Sequence, residues 1–200
     1  MPQNMLPKSI FNMHGWCTEE KANILYNLIV ETQPELVVEL GVFGGRSFVP
    51  MALAIKNNDK GICIGIDPWK KHESTTNYDP SDPNYIWWNS LNHDDIYNTF
   101  KSALIQYDIE NVSRCIRKTS MDAISLFEDE SIDILHQDGN HSERCSTDEV
   151  LAYVPKLKKG GYWIMDDADW ETTKLAQLTI VNMGFELISD HVQYKLFRKN

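Results

Sequence analysis

The chain has 200 residues, 42% hydrophobic and 24% charged, which suits one globular domain with a sizeable core and excludes disorder as its main state. Nineteen Lys and Arg against 29 Asp and Glu leave a formal charge of −10, the wrong balance for a broad nucleic-acid footprint or an anionic membrane surface. No apolar run approaches the roughly 20 residues that cross a bilayer. The first residues have no secretory h-region. Cys17, Cys63, Cys115 and Cys145 form no paired metal spacing, so a reducing, cytoplasmic setting is expected.

In chain order, Thr18 is placed to cap a helix with Glu19 and Glu20 in its first turn and an apolar face of Ala22, Ile24, Leu25, Leu28 and Ile29. It belongs to an N-terminal helical segment over 1–33. ELVVEL (35–40) reads as a buried strand, Gly41–Gly45 as a loop, 47–56 as a helix with Pro50 in its first turn, and GICIGID (61–67) as a second strand. Residues from 68 to about 98 begin with a polar, proline-containing stretch that holds Tyr78, Tyr85, Trp87 and Trp88, and read as an insertion or lid. A helix resumes over 94–107, followed by a strand at 112–118, a short helix at 121–127 and a strand at 131–138. A helix is expected over 142–158, closed by Lys156, Lys158, Lys159 and Gly160. A strand at 161–167, a helix at 171–183 and an antiparallel pair, FELIS and QYKLFR, complete the chain. This alternation predicts an α/β fold with a seven-stranded, mostly parallel sheet covered by helices on both faces.

Ligands of open α/β sheets bind at the carboxyl ends of the strands, and three such ends carry chemistry here. The first is Glu39-Leu-Gly-Val-Phe-Gly-Gly-Arg-Ser47. A dinucleotide site wants G-x-G-x-x-G, but Phe43 holds the second glycine position and Glu39 would repel a pyrophosphate. S-adenosylmethionine carries an ammonium and a sulfonium, which a carboxylate favours, and Asp67 at the end of the second strand can accept both ribose hydroxyls. The other two ends are Asp138-Gly-Asn-His141 and Asp166-Asp167. Carboxylates brought together repel and raise each other's pKa, and a hard divalent cation relieves that: Mg²⁺, with Ca²⁺ and Mn²⁺ as alternatives. His141 is the candidate general base and Asp138 its rival. His136 reads as a packed strand histidine. The absence of a G-x-S-x-G elbow argues against hydrolase chemistry.

The motifs VVELGVFGGRS (37–47), GIDPW (65–69), DILHQDGNHS (133–142) and LKKGGYWIMDD (157–167), in that order, resemble those of the class I S-adenosylmethionine-dependent methyltransferases. Within them the chain is similar to the metal-dependent branch that methylates catechol-type and sugar hydroxyls. The resemblance spans about residues 16–198. It implies a Rossmann-like sheet of order 3-2-1-4-5-7-6 with strand 7 antiparallel. It also implies cofactor contacts through Glu39, Gly41, Gly45 and Ser47, ribose recognition by Asp67, and adenine contacts near Thr119, Ser120 and Met121. Trp69 would lie near the adenine and Asp138 would also reach the cofactor. Metal ligation is implied for Asp138, Asp166 and Asp167. Arg117-Lys118-Thr119 departs from the family's Gly-Asp before the serine, and Asp167 followed by Ala168 fits the sugar-type branch.

The function expected is therefore S-adenosylmethionine-dependent O-methylation of a small hydroxylated acceptor. A sugar is favoured because the aromatic residues of the insertion alternate with Asn, Asp and Ser. A nicotinamide-dependent oxidoreductase and a non-catalytic S-adenosylmethionine-binding module are the alternatives. No nucleic-acid or membrane partner is expected, while exposed aromatics of the insertion could serve a homo-oligomer contact.

Overall fold

Short β-branched runs make the centre of the molecule, and the residues between them make its two helical layers. In the computed structural model, which describes residues 6–200, the strands are β1 (Leu36–Leu40), β2 (Ile62–Ile66), β3 (Ser113–Ile116), β4 (Ile132–Gln137), β5 (Leu157–Met165), β6 (Phe185–Asp190) and β7 (Lys195–Lys199). Residues 1–5 of the expected N-terminal segment lie outside the described residues. The helices are α1 (Glu19–Thr32), α2 (Phe48–Asn58), α3 (Lys71–Ser74), α4 (Pro83–Ser90), α5 (His93–Gln106), α6 (Ser120–Ala123), α7 (Glu143–Tyr153) and α8 (Lys174–Asn182).

Strand order is β3-β2-β1-β4-β5-β7-β6, the order that the family resemblance implies. The first five strands pair in parallel, and β7 runs antiparallel to both β5 and β6. Because side chains alternate across a strand, neighbouring residues feed opposite layers. Val37, Ile134 and Ile164 pack with α1 and α2 through Leu25, Ile29, Met51 and Ile55. Val38, Leu135 and Trp163 pack with α7 and α8 through Val150, Tyr153, Ala176 and Ile180. Burial on both faces explains why these strands read as continuous apolar runs.

Two local features differ from the sequence reading. The helix expected over 142–158 stops at Tyr153, and Leu157 already begins β5. Pro155 explains this: it has no N–H to continue the helix and sits in a 3-10 turn over Val154–Lys156. The lysines that read as a helix end instead pair with acids, Lys156 with Asp129 at 2.7 Å and Lys158 with Asp133 at 2.8 Å. The polar stretch after Pro68 is also more regular than its composition suggests. Asp82 caps α4, its Oδ1 accepting from Asn84 N at 2.7 Å, with Pro83 as the first helical residue. Among the described residues no helix is long and apolar enough to cross a membrane.

Candidate active site

The turn leaving β1 is shaped by what surrounds it. Gly41 has φ +83°, and a Cβ there would lie 2.0 Å from the Asp138 carbonyl oxygen at the end of β4. Only glycine accommodates both the backbone and the contact. Asp67, just beyond β2, latches the turn. Its Oδ2 accepts from Val42 N at 3.0 Å and Phe43 N at 2.9 Å, and its Oδ1 accepts from Trp69 N at 2.6 Å. Burial pushes the Asp67 carboxyl up, against the opposing effect of these N–H groups. Trp69 adds a second latch, its indole Nε1 donating to the Phe43 carbonyl at 2.8 Å.

Several residues expected at the cofactor act behind the cavity wall. Glu39 is fully buried, its Oε1 accepting from Ser47 Oγ at 2.5 Å and lying 2.8 Å from His136 Nδ1. It supports the turn from below and does not line the cavity. Gly45 (φ +85°) is set by close packing, since a Cβ there would lie 2.4 Å from the Phe100 ring. Trp69 borders the cavity, but its ring stacks on Phe100 at 5.6 Å and 20° and tilts against Tyr97 at 4.7 Å. Its aromatic surface is thus engaged in the core.

At the other end of the cavity the carboxylates of β4 and β5 converge. Asp138 and Asp166 are close enough that each carboxyl acts on the other's ionisation. Burial and the neighbouring Asp166 charge push the Asp138 carboxyl well above the usual range. Burial acts the same way on Asp166, but the Lys21 ammonium overrides it and holds that carboxyl low. The Lys21 ammonium is hydrogen-bonded to Asp166 Oδ2. Asp167 (φ +46°) turns to His141, whose Nε2 lies 2.6 Å from Asp167 Oδ2 and 3.7 Å from Asp138 Oδ1. Burial works to lower the His141 pKa, but the Asp167 carboxylate wins and raises it.

Ligand atoms of Asp138, His141 and Asp167 all lie within 4.8 Å of one another. The two hard carboxylates in that space, Asp138 and Asp167, fit a single divalent ion, with His141 beside them. Asp166, the other expected ligand, faces Lys21.

A cavity of about 730 Å³ joins these features. Gly41, Asp67 and Thr119–Met121 line one part; Lys21, Asp138, His141, Asp166 and Asp167 line another. Glu149 also borders it and is buried, its Oε1 accepting from Ser120 Oγ at 2.6 Å and its Oε2 from Gln137 Nε2 at 3.0 Å. It supplies a carboxylate where the segment before Ser120 has none. Four rings from three segments also line the cavity. Trp16 stacks on Phe43 at 5.4 Å and 17°, with Trp87 edge-on to Trp16 at 5.1 Å and Trp88 edge-on to Phe43 at 5.4 Å.

Lys21, Glu149 and Trp16 were not singled out from the sequence. Lys21 did leave a signal: it stands four residues before Leu25 and eight before Ile29, so it falls on the buried stripe of α1.

A family model described as a methyltransferase domain matches residues 38–168, a span that runs from β1 through the β4 and β5 carboxylates. The chain belongs to the methyltransferase-domain family. Among curated proteins it is 27% identical over 143 residues to the uncharacterized protein y4gI of Sinorhizobium fredii (strain NBRC 101917 / NGR234). That match covers 71% of this chain but 14% of y4gI. Among solved structures, the methyltransferase PaMTH1 of Podospora anserina, bound to S-adenosylhomocysteine, superposes with a TM-score of 0.68 at 10% identity, covering 92% of this chain and 80% of that one. The O-methyltransferase TomG of Streptomyces achromogenes, in complex with S-adenosylmethionine, gives 0.64 at 12% identity, covering 92% and 81%. The O-methyltransferase NovP gives 0.68 at 15% identity, covering 93% and 83%. At these identities the likeness establishes the fold. The methyltransferase thus has the class I sheet, with its acidic rim at the strand ends.

Proposed function

We propose that this methyltransferase moves the methyl group of S-adenosylmethionine to a hydroxyl oxygen of a small, sugar-like acceptor, with a divalent cation, preferably Mg²⁺, at the acidic rim. One observation carries the reading: a single cavity runs from Asp67 and Thr119–Met121 to Asp138, His141 and Asp167. A nucleoside end and an acid–base end in one chamber are what methyl transfer to a weak nucleophile needs. The S-adenosylmethionine bound by TomG and the S-adenosylhomocysteine bound by PaMTH1 support the choice of cofactor.

In this reading Asp67 accepts the ribose hydroxyls with the lone pairs its backbone contacts leave free, and Ser120, Met121 and Glu149 border the adenine. Asp138 and Asp167 would hold the cation, which would supply a fixed positive charge that favours the alkoxide form of the acceptor. His141 is the base. Its Nε2–H is directed to Asp167 by the 2.6 Å contact, which leaves Nδ1 to take the acceptor's proton. The acceptor oxygen forms the new O–C bond as the C–S bond breaks, and the sulfonium leaves as the neutral thioether. Holding oxygen, methyl and sulfur in line contributes roughly 7–11 kcal/mol when the geometry is near attack. The chain acts here as one domain, with residues 68–98 as a lid. The rings of Trp16, Phe43, Trp87 and Trp88 suit the C–H faces of a sugar.

Titration calorimetry with S-adenosylhomocysteine, followed by transfer of labelled methyl from S-adenosylmethionine to a panel of glycosides, tests this. Binding and label on a hydroxyl are expected. Absence of heat with both cofactor forms overturns the reading, and label found only on nitrogen overturns its oxygen chemistry.

A further inference from the structure

Lys21 is the residue of the rim that the proposed chemistry leaves without a role. Its side chain is 5% exposed, and full burial of a lysine is rare unless it is paired. Thr18 sets its position by capping α1, accepting from Lys21 N at 3.2 Å. The ammonium meets Asp166 Oδ2, and the Tyr194 ring lies 5.4 Å from Nζ. The ammonium is therefore held at the cavity wall between Asp166 just beyond β5, the Tyr194 ring and its own helix, which packs on α2.

We propose that Lys21 is a built-in counter-cation that keeps Asp166 out of the ligand set, so that a divalent ion is held by Asp138 and Asp167 alone among the rim carboxylates. This rests on the cation reading above. With Asp166 Oδ2 engaged by the ammonium, a divalent ion at the same carboxylate would meet a second positive charge a few ångströms away, and the ligand atoms that gather within 4.8 Å are those of Asp138, His141 and Asp167. One carboxylate is thus neutralised from within, and the rim offers an ion fewer negative charges than its three strand-end aspartates suggest. Ion affinity is then modest until acceptor oxygens complete the coordination sphere, which couples cation binding to acceptor binding.

The test measures Mn²⁺ affinity by electron paramagnetic resonance on the full chain saturated with S-adenosylhomocysteine. Wild type, Lys21→Met and the double variant Lys21→Met/Asp166→Asn are compared. Lys21→Met should bind Mn²⁺ at least tenfold more tightly, since Asp166 becomes an available, uncompensated ligand. The double variant should return to within threefold of wild type, because it removes the pair without changing net charge. It also leaves no unpaired buried charge, so it stays informative if Lys21→Met does not fold. Unchanged or weaker binding by Lys21→Met overturns the proposal. So does a loss of tenfold or more in the double variant, which would make Asp166 a ligand in the native protein. If none of the three binds Mn²⁺, the inference falls together with the cation reading. Failure of wild type to bind S-adenosylhomocysteine would instead remove the proposed function.

Discussion

Glu39 and His136 face each other across the central pair of strands, with Glu39 Oε1 2.8 Å from His136 Nδ1 and both side chains fully buried. The same carboxylate oxygen accepts from Ser47 Oγ at the start of α2. On its far side, His136 Nε2 lies 3.8 Å from Asp166 Oδ2. A polar line thus runs beneath the site from the β1 turn to the rim and ends on Lys21. Glu39 Oε2 and His136 Nε2 have no hydrogen-bond partner among the described residues, so the line is incompletely satisfied and sensitive to truncation.

Glu39→Leu should therefore destabilise the protein by about 3–5 kcal/mol, the usual cost of breaking a buried polar pair. Glu39→Gln, which keeps an acceptor for Ser47, should lose less and retain S-adenosylhomocysteine affinity within about threefold. Urea denaturation and calorimetry on the two variants read these separately. A Glu39→Gln protein with native stability and tenfold weaker cofactor binding would show that this carboxylate touches the cofactor directly.

Asp67 predicts the opposite pattern. Its oxygens accept from Val42, Phe43 and Trp69 N–H groups on the cavity side of the turn. Hydrogen bonds to a charged group are each worth about 1.5–3 kcal/mol. Asp67→Ala should weaken S-adenosylhomocysteine by roughly 10–100-fold through the loosened turn and loss of the ribose contact proposed above. Cofactor affinity within twofold of wild type would remove Asp67 from the binding site.

The sheet was legible because its signals are local: apolar runs of strand length, glycine-rich turns and acids at strand ends. The rim was legible for the same reason, as Asp138, Asp166 and Asp167 follow directly from strands whose adjacency the alternating pattern implies. Contacts between distant segments were not. Nothing in the first turn of α1 says that Lys21 reaches β5, 145 positions away. Glu149 sits on a helix, yet its partners Ser120 and Gln137 come from two other segments. For Trp69 the sequence placed a ring beside the nucleoside acid but could not show its packing against Phe100 and Tyr97, which come from a helix some thirty residues further on.

The aromatic group lining the cavity gives a prediction about the acceptor alone. Trp16 is 67% exposed and Trp87 38% exposed, which is unusual for rings that also border a cavity. Trp87→Ala should raise the acceptor KM about tenfold while leaving S-adenosylhomocysteine affinity within twofold, since stacked or edge-on ring contacts contribute about 0.5–1.5 kcal/mol beyond buried area. Steady-state kinetics at saturating cofactor separates the two. A variant that loses cofactor affinity and keeps acceptor KM would assign these rings to the cofactor.

His141 supplies the pH dependence. Burial favours its neutral form, but the Asp167 carboxylate at 2.6 Å favours the charged form and prevails, so its pKa stands above the ordinary value of about 6.5. A base must be unprotonated to accept the acceptor's proton. Activity should therefore rise with pH, and the metal-free protein should show a His141 nuclear magnetic resonance titration with its midpoint above 6.5. Asp167→Asn removes the charge that holds the proton, leaves burial as the larger effect and should move that midpoint down. His141→Gln should lower kcat by about 10²–10⁴-fold, the range of general-base assistance, and abolish the limb. A midpoint below 6.5 in the native protein would contradict the Asp167 pairing, and a His141→Gln enzyme with an unchanged pH limb would pass the role of base to Asp138.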